Sequence, residues 1–407
     1  MNNDSINILI VGNGAVASAL AKKLNEYENT GKIFITDSCE YKTEYYECAD
    51  IRDDDITSLL KFALENEITL TIPISKRAFK SDIVEFFQSN GQNIFAPSRK
   101  TCSFFLNKAN CQKFLYKNKA QCPKFAIFSK YSQAIDYLTT AAFPLIITQT
   151  EQSAQEQNTI CTTIKQAQSY LDRIFANGET DVLIQEFPYG TNCTYYFISD
   201  GYSAIPFGSV RNFKFTNADK SGQYTDGIGC YSPEYRINET VSERIKGLAE
   251  KIINNFEFNS CAYLGIIGLE CTLTDDDRFV VQNIKPFLQE HDARAILNLC
   301  EDNILNVINS CINGYFSDEY EQIKTNNCSS VSVKINTSLI DIKNTNDYDI
   351  DFCNTYLNGN NVYSSSLILT KTAPTLTRAK HKISQTIEEF EYKDIKYRKD
   401  ICDKINT

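Results

Sequence analysis

Ile6-Asn7-Ile8-Leu9-Ile10-Val11-Gly12-Asn13-Gly14 reads as a buried strand running into a tight glycine turn. A continuous apolar run of this length, ended by glycine, is the mark of a strand covered on both faces of a parallel sheet. The chain then turns helical from Ala15 to Leu24 and returns as a second strand, Lys32 to Asp37. Thr69-Leu70-Thr71-Ile72-Pro73 and Asn93-Ile94-Phe95-Ala96 add two more strands, each after a helix-like segment. Strand and helix in alternation predict a doubly wound α/β unit that ends near Pro97. The pair Gly12 and Gly14, with Ala17 at the third position of a GxGxxG pattern, invites a dinucleotide reading with Asp37 on a ribose. Two glycines at a strand–helix turn serve equally to pack a helix on a sheet.

Beyond this unit the pattern changes. Cys102 to Lys119 is helical. Phe125 to Phe128, residues 131–140, Leu145 to Thr148, Ile160 to Thr162 and Lys165 to Asn177 spell a compact βαββα unit. Residues 182–199 alternate as antiparallel strands, and a helix covers residues 239–256. Strands at Leu264 to Thr274 and Phe279 to Gln282 flank an acidic turn, a helix covers residues 293–313, and the tail from Val331 is β-rich with a helix near residues 375–389. The Asn-rich stretch 343–361 reads as the most mobile part of the chain.

Composition narrows the function. The 407 residues carry a net charge of −10 with no basic cluster, which excludes nucleic acid and anionic membrane as partners. No apolar run reaches the length of a membrane span and no signal peptide is visible, so a cytoplasmic protein is expected. The 15 cysteines form no CxxC pair and only His291 and His381 are present, so buried free thiols are expected rather than a Cys/His metal site. Glycine is scarce, 16 in all, and loops that wrap phosphate with backbone N–H groups need it.

Several segments, in order and at matching spacing, resemble the glycinamide ribonucleotide synthetase (phosphoribosylamine–glycine ligase) family of the ATP-grasp superfamily. They are Ile8 to Gly14 with Ala17 and Ala19-Leu20, and Ile94 to Ser98 followed by Leu106-Asn107-Lys108-Ala109. Ile184-Gln185-Glu186-Phe187 with Gly190 follows, then Ser221-Gly222, Thr225 and Gly227-Ile228-Gly229-Cys230-Tyr231-Ser232-Pro233, and finally Tyr397 to Ile401. The resemblance covers nearly the whole chain. It implies an N-terminal α/β domain over residues 1–103 and an ATP-grasp core over residues 104–124 and 194–328. A lid over residues 125–193 and a β-rich C-terminal domain over residues 329–407 complete it.

The resemblance also implies a chemistry. A ligase of this kind activates a carboxylate as an acyl phosphate, so cations must meet a triphosphate and oxygen ligands must hold Mg²⁺. Lys108 keeps the first lysine, but Thr148 stands where a second is expected. The phosphate-covering loop, residues 149–158, has no glycine and no cation and carries Glu151 and Glu156. On the metal strand Gln282 replaces a glutamate and Ile284 an asparagine, while Phe287 keeps its packing role. Asn283, one residue out of register, is expected to face the other side of a regular strand. Val16, Ala17 and Ile74-Ser75-Lys76 replace polar residues on the amine-substrate side, and ribose contacts fall on Thr191 and Asn192.

The expectation is therefore a ligase-like fold with no catalytic and no metal-ligating residue. A nucleotide-binding remnant is expected at Lys108, Gln185, Glu186 and Phe187, with adenine read by the backbone around the last two. A substrate-side loop is expected at Gly12, Gly14, Lys214, Gly222, Thr225, Gly227 and Gly229. Plainer roles compete: Lys108 as a surface lysine, Gly227 and Gly229 as loop formers, Arg398 and Asp400 as an ion pair tying down the tail. No cofactor is expected, with a small-molecule ligand as the partner; ATP and Mg²⁺ enter only if the chain is an active, divergent ligase. A subunit that works by protein interaction is the third reading, and monomer and homodimer both remain open.

Overall fold

The computed structural model describes residues 5–37, 41–150, 158–176, 178, 181–219, 223–258, 260–276, 278–341, 349–353, 356–358, 361–390 and 394–403. The Asn-rich stretch lies partly outside these residues, as do Glu151, Glu156, Ser221 and Gly222.

The first sheet holds β1 (Ile6–Val11), β2 (Thr30–Ile35), β3 (Tyr41–Lys42), β4 (Glu47–Cys48) and β5 (Ile68–Pro73) in the order β3-β4-β2-β1-β5. β1 lies between β2 and β5 and is parallel to both. Ile8 to Val11 are fully buried, as a strand covered on both faces requires. Ile94 bridges Thr71 and extends the parallel set. α1 (Ala15–Leu24), α2 (Ile56–Glu65), α3 (Lys76–Lys80) and α4 (Ile83–Ser89) accompany this sheet. α5 (Arg99–Cys102) and α6 (Lys108–Lys117) lead out of it. The β1–α1 turn needs its glycine for space: a Cβ on Gly12, at φ +132°, would stand 2.8 Å from Ile74 Cγ1.

The second sheet has the order β6-β9-β7-β8, from β6 (Phe125–Phe128), β7 (Leu145–Gln149), β8 (Asn158–Cys161) and β9 (Val182–Glu186). α7 (Tyr131–Leu138) and α8 (Ile164–Phe175) cover it and share one small apolar core with it.

The third sheet is antiparallel and larger. It runs β14-β13-β10-β11-β12-β15-β18-β16, with β17 on β18. Its strands are β10 (Thr191–Asp200), β11 (Ile205–Asn212), β12 (Gly229–Ser232), β13 (Leu264–Leu273), β14 (Phe279–Lys285), β15 (Ser329–Asp341), β16 (Ile350–Cys353), β17 (Tyr356–Asn358) and β18 (Asn361–Ala373). The β12–β15 pairing carries the sheet without a break from the middle of the chain into its tail. α9 (Glu239–Phe258), α10 (Glu290–Leu297), α11 (Ile304–Asn313), α12 (Phe316–Glu319) and α13 (Leu376–Glu388) complete the fold. The sequence predicts one helix over residues 293–313; the structure breaks it. Asn303 caps α11 by accepting from the N–H groups of Leu305 and Asn306 at 2.9 and 3.2 Å, and residues 299 and 301 bond to residues 326 and 324 instead. No described helix is long and apolar enough to cross a membrane, and every described cysteine is free.

One buried ion cluster joins the parts. Asp351 on β16 receives Arg294 of α10 at 2.6 and 2.9 Å, Ser18 of α1 at 2.8 Å and Lys22 of α1 at 3.5 Å. An aromatic group does the same for α6, whose Phe114 stacks on Phe256 of α9 at 4.8 Å.

Candidate functional site

The parallel sheet, the small sheet and the strands β13 and β14, at one end of the large sheet, border a common cleft. Its floor is a strand irregularity. Glu270 pairs with Asn283, but the next residue, Cys271, pairs with Val281, so Gln282 is one residue too many on β14. A β-bulge of this kind resets the alternation of side chains. Gln282 and Asn283 consequently both line the cleft, Ile284 borders it but packs in the core at 2% exposure, and Lys285 lines the cleft again. The expectation that Asn283 faces away is thus overturned, and Ile284 belongs to the core with Phe287.

The open part of the cleft has a volume of about 250 Å³. It is lined by Asn13 and Val16 beyond the glycine turn, by Ile74, Ser75 and Lys76, and by Lys108, Asp226, Asn283, Lys285 and Phe287. A smaller cavity of about 30 Å³ adjoins it and shares Lys108, Asp226 and Asn283; Gln112, Gln185, Lys214, Glu270 and Gln282 also line it.

Lys108 opens α6, whose cap Asn107 accepts from the Asn110 N–H at 3.1 Å and donates to the Thr150 carbonyl at 3.0 Å. The Lys108 ammonium donates to Asn158 Oδ1 at 2.6 Å, and Thr148 Oγ1 donates to the same oxygen at 2.8 Å. Lys108 is therefore a cleft residue rather than a free surface lysine. Lys214, just past β11, is buried and forms an ion pair with Glu270, which also receives Lys285 at 3.3 Å. Burial pushes the Lys214 ammonium down to about 7, the Lys285 charge adds to the fall, and Asp226 opposes it. Asp226 lies well below the usual carboxylate range. The Lys285 charge is the chief cause; Lys108, Lys214 and Lys76 add to it, and desolvation opposes. Its side chain is open to the cleft even though protein surrounds it on most sides.

Gln282 Nε2 donates to Asn192 Oδ1 at 3.2 Å and to Thr272 Oγ1, while Gln112 Nε2 donates to the Gln282 carbonyl at 2.6 Å. Gln112 Oε1 and Asn283 Oδ1 are buried without a hydrogen-bond partner. At the far end, Gln185 lines the small cavity. The N–H groups of Glu186 and Phe187 donate to the carbonyls of Lys124 and Pro144 at 3.0 and 3.2 Å, and Pro188 has no N–H.

The loop residues form a second group. Thr225 donates to the Lys214 carbonyl through both its N–H and its Oγ1, at 2.8 and 2.9 Å, and receives Gly227 N at 3.2 Å. Gly227, at φ +150°, lies against the His291 ring, where a Cβ would come 2.1 Å from Cε1. Gly229 begins β12. Gly14 precedes the first turn of α1 at φ +83°. Asp37 is held by Arg77, which also takes Asp53 at 2.6 Å. Arg398 and Asp400 do pair, at 2.6 and 2.7 Å, and Arg398 donates to the Phe215 carbonyl at 2.7 Å.

Sequence reasoning missed Glu270, Lys285 and Asp226 as cleft residues. Glu270 had a signal, being the single charge in the apolar run Leu264 to Leu273. Lys285 is the corresponding charge at the end of β14, and only the bulge shows which way it points.

The phosphoribosylglycinamide synthetase N-domain family model matches residues 6–104, and that family's ATP-grasp (A) domain model matches residues 106–289. A phosphoribosylamine–glycine ligase of Clostridium acetobutylicum is 24% identical over 415 residues, covering 97% of this chain and 99% of the relative. One from Fusobacterium nucleatum is 26% identical over 313 residues, covering 75% and 73%. Among solved structures, the Thermotoga maritima phosphoribosylamine–glycine ligase superposes with a TM-score of 0.81 at 16% identity, over 98% of this chain and all of that one. The Campylobacter jejuni biotin carboxylase gives 0.71 at 14% identity over 98% and 94%, a likeness of fold. Two adjoining domains of one family, matched in order across residues 6–289 of a fold that superposes over its full length, place this chain in the phosphoribosylamine–glycine ligase family of the ATP-grasp superfamily, as a divergent member.

Proposed function

We propose that this ligase-like protein of purine-biosynthetic ancestry has lost turnover and acts by binding a small molecule in its cleft. The observation that carries the reading is the state of Glu270. Its carboxylate takes Lys214 and Lys285; the Lys214 ammonium is lowered to about 7 by burial, so the Lys285 charge is the chief cation on this acidic group. Magnesium wants six oxygen ligands and strong negative charge. Here the carboxylates Glu270 and Asp226 are set among four lysines, Gln282 is neutral, and its amide nitrogen is turned to Asn192 and Thr272. A dication there would compete with those ammonium groups, and the residues present do not fit it.

The base end supports the same reading. A backbone that reads adenine must offer an N–H to a ring nitrogen, and residues 186–188 have none to spare. The direct test is incubation with ATP, glycine and phosphoribosylamine, following ADP and glycinamide product. Neither is expected above background, and turnover by the natural chain would replace this reading with that of an active, divergent ligase. One observation favours that second reading: the bulge brings Asn283 and Lys285 into the cleft, so the metal strand is less empty than its sequence register implies.

A further inference from the structure

Four lysines reach one cleft from separate parts of the chain. Lys76 opens α3, Lys108 opens α6, Lys214 follows β11 and Lys285 closes β14. Lys76, Lys108 and Lys285 line the open cleft, while Lys108 and Lys214 line the small cavity beside it. The three that line the open cleft, with Lys214 partly charged behind them, are what a polyphosphate needs, because its charges repel one another unless they are met. Glu270 draws on Lys214 and Lys285 from below. Asp226 lines both spaces and is open to the cleft from its loop.

We propose that Asp226 is a built-in counter-ion that shuts this lysine cluster against phosphate-bearing ligands, so that the cleft is a latent pyrophosphate site closed by one carboxylate. A phosphoryl group that meets Lys76, Lys108 and Lys285 in the open cleft shares that lining with the Asp226 carboxylate. The carboxylate stays ionised at neutral pH, because Lys285 foremost, with Lys108, Lys214 and Lys76, holds it well below its ordinary range against the cost of burial. It cannot step aside by taking a proton. The small cavity, about 30 Å³, has room for about one water, so the phosphate has no second berth there.

The test is titration calorimetry of the full chain with sodium pyrophosphate, free of metal and at low ionic strength, on the wild type, Asp226→Asn and Asp226→Ser. No saturable heat is expected from the wild type at millimolar ligand. Both variants are expected to bind at least ~10-fold more tightly than the wild-type limit, since one negative charge has been removed from the lining of the same cleft. That binding is expected to weaken with added salt and with Lys76→Gln in the Asp226→Asn background. Melting curves show that each variant is folded, and two side chains at 226 guard against an accident of one. Wild-type binding as tight as that of the variants, or folded variants that bind no better than the wild type, overturns the proposal. The inference is separate from the functional reading: product made by the wild type sinks that reading, whereas pyrophosphate bound by a chain that makes no product sinks only this one.

Discussion

Glutamine at position 282 holds its place by donating hydrogen bonds. Its Nε2 reaches Asn192 Oδ1 and Thr272 Oγ1, and a glutamate there has no hydrogen to give Asn192. Gln282→Glu, the change that would restore a metal carboxylate, is expected to cost about 1–3 kcal/mol in urea unfolding rather than to stabilise. Paired with Thr148→Lys, it is not expected to create turnover, because Thr148 and Lys108 already share Asn158. Asp351 offers a sharper case. Removing it strands Arg294 and Lys22 in the interior, so Asp351→Ala is expected to cost about 3–5 kcal/mol. Burial pushes its carboxyl up, yet Arg294, Lys22 and Ser18 outweigh that and leave it below the ordinary value. A depressed carboxylate contributes stability that is complete above the unfolded value of about 3.9 and is lost as pH falls through the folded one. The wild type is therefore expected to lose stability below about pH 4 more steeply than Asp351→Asn. Parallel slopes for the two chains would remove Asp351 from the account.

At the scale of elements, β14 separates what the sequence discloses from what it hides. The apolar run to Gly12, the α1 pattern and most of the order of strands and helices were legible, because period and turn chemistry are local. The bulge at Gln282 was not, because it is set by the partner strand: Glu270 and Cys271 pair with residues two apart on β14. It exchanges the faces expected of Asn283 and Ile284, while Phe287 keeps its packing role. The break between α10 and α11 was hidden for a like reason, since residues 299 and 301 find partners in the 324–326 segment. Lys108 was readable as a cleft residue only through the family resemblance. Glu270 was readable as a charge in an apolar strand, but its two lysines come from distant segments. The bulge yields a test of register. Ile284→Asn would look like repair if the strand were regular, but here it buries an amide in the core. It is expected to destabilise by about 2–5 kcal/mol. Asn283→Asp, which changes a cleft group already lacking a partner and set near Lys285 and Lys108, is expected to be tolerated to within about 1 kcal/mol. The reverse order of costs would mean that β14 has no bulge.

Taken as a whole molecule, the chain keeps the architecture that brings a lid sheet, a parallel sheet and a large antiparallel sheet around one cleft, and its ion cluster at Asp351 ties α1, α10 and β16 behind that cleft. On the proposed reading, what differs is the match between the cleft and a magnesium nucleotide, which must be held at three points together. At the base, the N–H groups of Glu186 and Phe187 are spent on Lys124 and Pro144, and Pro188 has none. At the metal edge, Glu270 is shared by two lysines. At the place proposed for the phosphates, Asp226 lines the cleft with its carboxylate. Each mismatch alone is a modest penalty, but a ligand that spans all three meets them in sum. A ligand that binds only the native state raises stability by about 2.7 kcal/mol at a hundredfold excess over its Kd. A chain of this size would show that as a rise of a few degrees in Tm. Millimolar MgATP is therefore expected to leave the melting temperature of the wild type unchanged, and ATP without magnesium likewise. A rise that needs magnesium would mean that Glu270 releases its lysines to the metal; a rise with ATP alone would mean that the base end rearranges to free a donor. Either outcome returns the chain to the nucleotide-binding ligases, and the turnover assay then decides whether it is an active one.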